Sequence, residues 1–212
     1  MKRGLLLVIV ALWGCNPTFA PPVRSGMYGA PGRLVDSSFE VGGSSTQRGM
    51  GGLFEGFVVA PGLAVEVGGD LSALDDDARW AMGWVGARYT IDQVRQQSGD
   101  GLSMDVEAGF GAGVGGRLAD DDTQWFDRPA GGGYVGFGLG WHAEWFTAFG
   151  RGRLQVTGAE DVPVTLWWQA VIGPEAAIGP VSLYVAIGWG GYTNEADNNS
   201  GGLLDVGASV HF

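Results

Sequence analysis

Lysine is all but missing from this chain: Lys2 is the only one in 212 residues. Cysteine occurs once, at Cys15, so no disulfide can form within one molecule. No run of 18 or more apolar residues exists, and no transmembrane helix is expected. Charged residues make up 17% of the chain, below the ~25% usual for a soluble domain. They sum to a formal charge of −11, which repels phosphate backbones and leaves nucleic-acid binding without support. In their place stand 40 glycines, far above the usual ~7%, with nine Trp and ten Phe. The absence of a triplet repeat excludes collagen, and so many aromatics argue against a disordered low-complexity chain. Such a composition fits one β-domain in which many side chains must be small. Were it in a membrane, it would have to cross as a closed barrel, the remaining way to satisfy backbone groups in lipid.

The first thirty residues have their own logic. Lys2 and Arg3 precede the apolar run Leu5 to Leu12, the pattern of an export signal too short to span a bilayer. The run ends in Leu12-Trp13-Gly14-Cys15, which resembles the bacterial lipobox. That resemblance implies cleavage before Cys15 and lipidation of its thiol, and Asn16 implies sorting to the outer membrane. An ordinary signal peptide cut nearer Ala20 is the alternative. Pro17, Pro21, Pro22 and Pro31 then suggest an extended tether. The expected organisation is a signal peptide at 1–14, a lipid-anchored Pro/Gly tether at 15–32 and a β-domain at 33–212.

From Leu34 onward the dominant period is two, the mark of strands with two different faces. Leu204, Val206, Ala208, Val210 and Phe212 alternate with Asp205, Gly207, Ser209 and His211. Similar alternation runs through 181–190, 164–173, 134–142, 102–114 and 63–71, and more noisily through 34–44, 52–60, 79–91 and 145–157. This predicts about ten strands, with eight as the alternative. Short links at 60–62, 142–144 and 179–180 are expected at one end. Longer acidic loops, around Asp75–Asp77, Asp120–Asp122, Glu160-Asp161 and 194–201, are expected at the other.

The final residues Val206, Ala208, Val210 and Phe212 resemble the terminal strand of outer-membrane barrels, whose last aromatic is an assembly signal. Together with the alternation over 34–212, the chain resembles the small OmpA/OmpX-type barrels. The resemblance implies an all-β, closed, antiparallel up-and-down transmembrane barrel in the outer membrane of a Gram-negative bacterium. Its implied partners are the barrel-assembly machinery, membrane lipids and lipopolysaccharide.

A soluble barrel would alternate in the same way, so the composition of the polar face must decide. It carries Gly, Ser, Ala and Tyr with sparse charges of both signs: Asp36, Glu40, Glu55, Glu66, Asp70, Arg88, Asp105, Glu107, Arg151, Arg153 and Asp205. That suits an enclosed lumen better than water. Unpaired charges there would each cost several kcal/mol, so Arg88, Arg151 and Arg153 are expected to meet the carboxylates. Tyr89, Trp141, Trp189 and Phe212 are expected in interfacial aromatic girdles. The lumen-facing glycines at 109, 111, 113, 115, 136, 138 and 140 would leave space for a thin water path.

Evidence for chemistry is sparse. Gly111-Ala112-Gly113-Val114-Gly115-Gly116 matches GxGxxG but sits within an alternating strand, not between a strand and a helix. His142 and His211 read as hydrogen-bonded lumen side chains without a nucleophile or paired acid beside them on the outward side. The aspartate runs read as solvated loops in preference to cation sites. No cofactor is implied, and a monomer is expected. The expected function is a non-enzymatic barrel with a structural or surface role, or a narrow pore for small solutes. One alternative is a soluble, lipid-anchored β-barrel holding an apolar ligand, with Trp168, Trp189 and Phe137 inside. The other is an outer-membrane lipid-modifying enzyme.

Overall fold

The structure, a computed structural model, describes residues 19–29, 39–46, 49–60, 62–75, 78–92, 101–117, 128–160 and 162–212. It is all-β, an antiparallel up-and-down sheet curled around an interior. The strands are β1 (Phe39–Thr46), β2 (Gly49–Ala60), β3 (Leu63–Asp75), β4 (Ala78–Asp92) and β5 (Gly101–Arg117). They continue as β6 (Arg128–Ala143), β7 (Phe146–Ala159), β8 (Val162–Ile178), β9 (Val181–Thr193) and β10 (Asn198–His211). Each pairs with its neighbours in sequence, and β1 also pairs with β10 from Glu40↔His211 to Thr46↔Asp205.

Antiparallel order gives the sheet two distinguishable ends. The turn end holds the start of β1, the end of β10 and the links β2–β3, β4–β5, β6–β7 and β8–β9. The loop end holds the other links. Two of the turn-end links need a backbone that L side chains rarely adopt, and glycine supplies it at Gly62 (φ 79°) and Gly179 (φ 60°). The expected contrast of short turns against long loops is only partly realised. At the loop end, β3 runs to Asp75 and β4 starts at Ala78, and β7 and β8 are as closely joined. The long connection there is 118–127, whereas 93–100 makes the turn end's β4–β5 link almost as long. Strand pairing extends into the acidic stretches because only the tips need to leave the ladder.

Period two is realised as burial. In β10, Leu203 and Asp205 are buried while Leu204 and Val206 are exposed; in β8, Thr165, Trp167, Gln169 and Val171 face in while Leu166 and Ile172 face out. The outward face carries Phe110 at 67% exposure, Phe137 at 62%, Ile172 at 67% and Ile187 at 61%. Tyr89, Trp141, Trp189 and Phe212 also point outward.

The interior is more apolar than the sequence suggested. One cluster joins Trp80, Met82, Trp84, Ala130 and Tyr134 with Val23 and Tyr28; another joins Phe149, Val171, Tyr184, Ala186 and Leu203 with Met27. Val23, Met27 and Tyr28 belong to none of the strands. The residues from Ala20 to Gly29, in the stretch expected to be a tether, are all buried inside the curled sheet. Short of strand partners, this segment takes its contacts from side chains.

Candidate functional site

The site is the sheet's interior together with the segment threaded through it. Register explains its charge pattern. Glu107 on β5 lies opposite Gly136 on β6, which lies opposite Arg153 on β7; one pleat away the same row reads Asp105, Gly138, Arg151. Each arginine therefore reaches across a glycine to a carboxylate two strands away. Arg153 Nε meets Glu107 Oε1 at 2.7 Å, and Arg151 Nη2 meets Asp105 Oδ2 at 2.8 Å. A Cβ at Gly136 would stand 2.6 Å from Glu107 Oε1, and one at Gly138 2.5 Å from Asp105 Oδ1. Two glycines of β6 are thus the gaps through which the ion pairs pass. Arg88 on β4 completes the belt, with Nη2 at 2.6 Å from Glu66 Oε1 and Nε at 3.6 Å from Asp105.

The threaded segment adds the fourth cation. Arg24 is fully buried, with Nη1 at 2.6 Å from Glu66 Oε2 and 3.4 Å from Glu107 Oε2. Its guanidinium lies 4.0 Å from the Trp84 ring centroid and 5.1 Å from that of Tyr134, so a cation–π contact reinforces the ion pairs.

The segment's backbone is satisfied by interior side chains. Ala20 N–H donates to Thr165 Oγ1 (2.9 Å), Arg24 N–H to Gln155 Oε1 (2.9 Å), Ser25 N–H to Asp70 and Met27 N–H to Asp205 (2.6 Å). In return, Trp167 Nε1 donates to the Ala20 carbonyl (2.8 Å), Gln155 to that of Arg24 (2.9 Å) and Gln169 to that of Ser25 (3.1 Å). Arg153 donates to Gly26 O (2.6 Å) and Arg151 to Met27 O (2.8 Å) and Gly29 O (3.2 Å). The Tyr28 hydroxyl donates to Asp70. Because buried backbone groups left unpaired are costly, this double row of side-chain partners holds the segment without a ladder.

Of the sequence-predicted lumen charges, Glu66, Asp70, Arg88, Asp105, Glu107, Arg151, Arg153 and Asp205 are buried together here. Asp36 lies outside the described residues, as do the side chains of Glu40 and Glu55. Cys15 and the aspartates 120–122 also lie outside them. The enclosed glycines lie against other groups. A Cβ at Gly109 would stand 2.5 Å from the Tyr134 hydroxyl, and one at Gly111 2.7 Å from Val23 Cγ1. At Gly113 it would meet Met82, and at Gly115 the Trp80 ring.

His142 is buried between Ser103 Oγ, 2.5 Å from Nε2, and Thr147 Oγ1, 2.8 Å from Nδ1. His211 lies 3.2 Å from Ser182 Oγ and 3.4 Å from Ser209 Oγ. Among the described residues no group of three or more His, Cys, Asp or Glu is arranged to hold a metal ion.

Sequence reasoning missed Arg24 and the segment around it. A signal was present: the predicted lumen set holds three arginines against eight carboxylates, so a cation was missing. Compared with known proteins, the chain matches no family model and no curated protein.

Proposed function

We propose that this chain is a non-enzymatic outer-membrane protein: a closed ten-stranded barrel whose lumen is stoppered by its own N-terminal segment. On this reading residues 1–14 direct export, Cys15 carries lipid, and the role is structural or at the cell surface, not that of a standing pore. The supporting observation is the inversion of burial. Guanidiniums and carboxylates are enclosed, while Phe110, Phe137, Ile172 and Ile187 stand outward, more than half exposed. A contiguous apolar face of this kind is foreign to a water-soluble monomer and suits acyl chains.

The soluble alternative needs Trp189 and Phe137 inside, and both are more than half exposed on the outer face. Against the pore reading stands the segment itself, packed where solute would pass.

The test is heat-modifiable gel mobility of the membrane fraction, followed by quenching of tryptophan fluorescence with brominated lipid. A folded, heat-modifiable form with strong quenching is expected. A folded monomer that stays in the aqueous phase without its anchor, unquenched, would overturn the proposal.

A further inference from the structure

The inner segment is held in the way a protein holds a peptide ligand. Its backbone donors and acceptors are met by side chains of the wall, which read main chain whatever residue carries it. The nearest of these in sequence, Glu66 and Asp70, stand forty-two positions from their partners Arg24 and Tyr28, so continuity of the chain brings none of them together. Selectivity comes from four positions. Arg24 enters a pocket formed by the carboxylates of Glu66 and Glu107 and the rings of Trp84 and Tyr134. At Gly26 a Cβ would collide with the Cβ and Oγ of Ser44, which leaves room for glycine alone. Met27 joins the apolar cluster of Phe149, Val171 and Leu203. The Tyr28 hydroxyl reaches Asp70, and its ring lies 5.8 Å from that of Trp84. The seat is also imperfect: Arg24 Nε and Nη2 are buried with no hydrogen-bond partner among the described residues. A buried guanidinium bonded through Nη1 alone is held less firmly than it could be, which favours exchange over permanent filling.

We infer that the interior is a peptide-binding site and that segment 19–29 is its resident, exchangeable occupant. The ligand it takes is a short peptide of the same chemistry. It carries an arginine for the carboxylate pocket, a glycine two residues later and a tyrosine two residues after that, as Arg24, Gly26 and Tyr28 do here. Such binding concerns the enclosed side of the sheet alone, whichever medium meets the other side. Covalent attachment gives the resident segment its advantage. A tethered segment competes at an effective concentration in the millimolar range. A free peptide therefore meets only the fraction of chains whose interior is vacant. Loosening the resident segment opens the site to a peptide supplied in trans.

The probe is a synthetic peptide with the sequence of residues 19–29, labelled with a fluorophore at its N-terminus. It is titrated with full-length chain in detergent and read by fluorescence anisotropy. Three chains are compared: the unaltered one, Arg24→Ala and Gly26→Val. Both substitutions lie in the segment and leave every wall residue in place. The expected result is saturable binding to both variants, roughly tenfold or more tighter than to the unaltered chain. An Arg24→Ala peptide should bind the same variants roughly tenfold or more weakly than the parent peptide, because it leaves Glu66 and Glu107 without their cation. Absence of saturable binding to either variant would overturn the inference, as would equal affinity of the two peptides. Should the variants not fold alone, parent peptide added during refolding is expected to restore the folded yield, read by near-ultraviolet circular dichroism. Failure of that rescue would count against the inference equally.

Discussion

Two stretches of this molecule, β10 and the segment 19–29, solve the same problem in opposite ways. β10 hands its backbone groups to β9 on one side and β1 on the other. Its side chains are then free to alternate, Asp205 inward and Val206 outward. The inner segment has no ladder. Thr165, Gln155, Gln169, Asp70, Asp205, Arg151, Arg153 and Trp167 provide its hydrogen bonds. Buried from Ala20 to Gly29, it has no outward face to mark with a period. A strand built on backbone partners leaves a pattern in its own sequence; one built on side-chain partners leaves its pattern in the residues around it.

Deleting residues 16–29 is the largest perturbation of this comparison. The interior then keeps Arg88, Arg151 and Arg153 against Glu66, Asp70, Asp105, Glu107 and Asp205, an excess of two negative charges among these groups. Planar-bilayer recordings are expected to show cation-preferring steps for the deletion and silence for the full chain. Equal conductance from both would mean that the segment does not close the lumen.

Arg24→Ala is next. It leaves Glu66 and Glu107 buried with one cation fewer, a loss of about 3–5 kcal/mol in seating the segment. Hydrogen exchange at residues 20–28 should accelerate by roughly a hundredfold or more, the limit set by local opening, with β10 unchanged. Unaltered exchange would show that the backbone bonds alone hold the segment.

On the strand side of the comparison, the outer-membrane reading has Val206→Arg turn a charge toward lipid and lower folding stability in bilayers by ~2–4 kcal/mol near the midplane. A neutral effect in equilibrium folding titrations would place that face in water.

Much of the sheet was legible because strand alternation is a local property. Leu204, Val206 and Val210 against Asp205 and Ser209 can be read without knowing their neighbours. The glycines were read as small, but what stands beside them was not legible. Gly136 and Gly138 acquire meaning only when register sets them between Glu107 and Arg153 and between Asp105 and Arg151. The aromatic interior of β4 was obscured for a related reason: Trp80, Met82 and Trp84 are apolar on the enclosed face, so apolar and polar no longer map onto outside and inside.

Composition and periodicity by themselves determined a β-sheet with one greasy face and one face of glycine and sparse charge, since both follow from residues two apart. The occupant of the interior was decided by tertiary structure alone. Arg24 finds Glu66 forty-two positions away and Glu107 eighty-three away, and a Pro-flanked stretch is seated only once a curled wall supplies its hydrogen bonds. Contacts of that range leave no period in a sequence, because the partners are brought together by curvature and register, not by spacing along the chain.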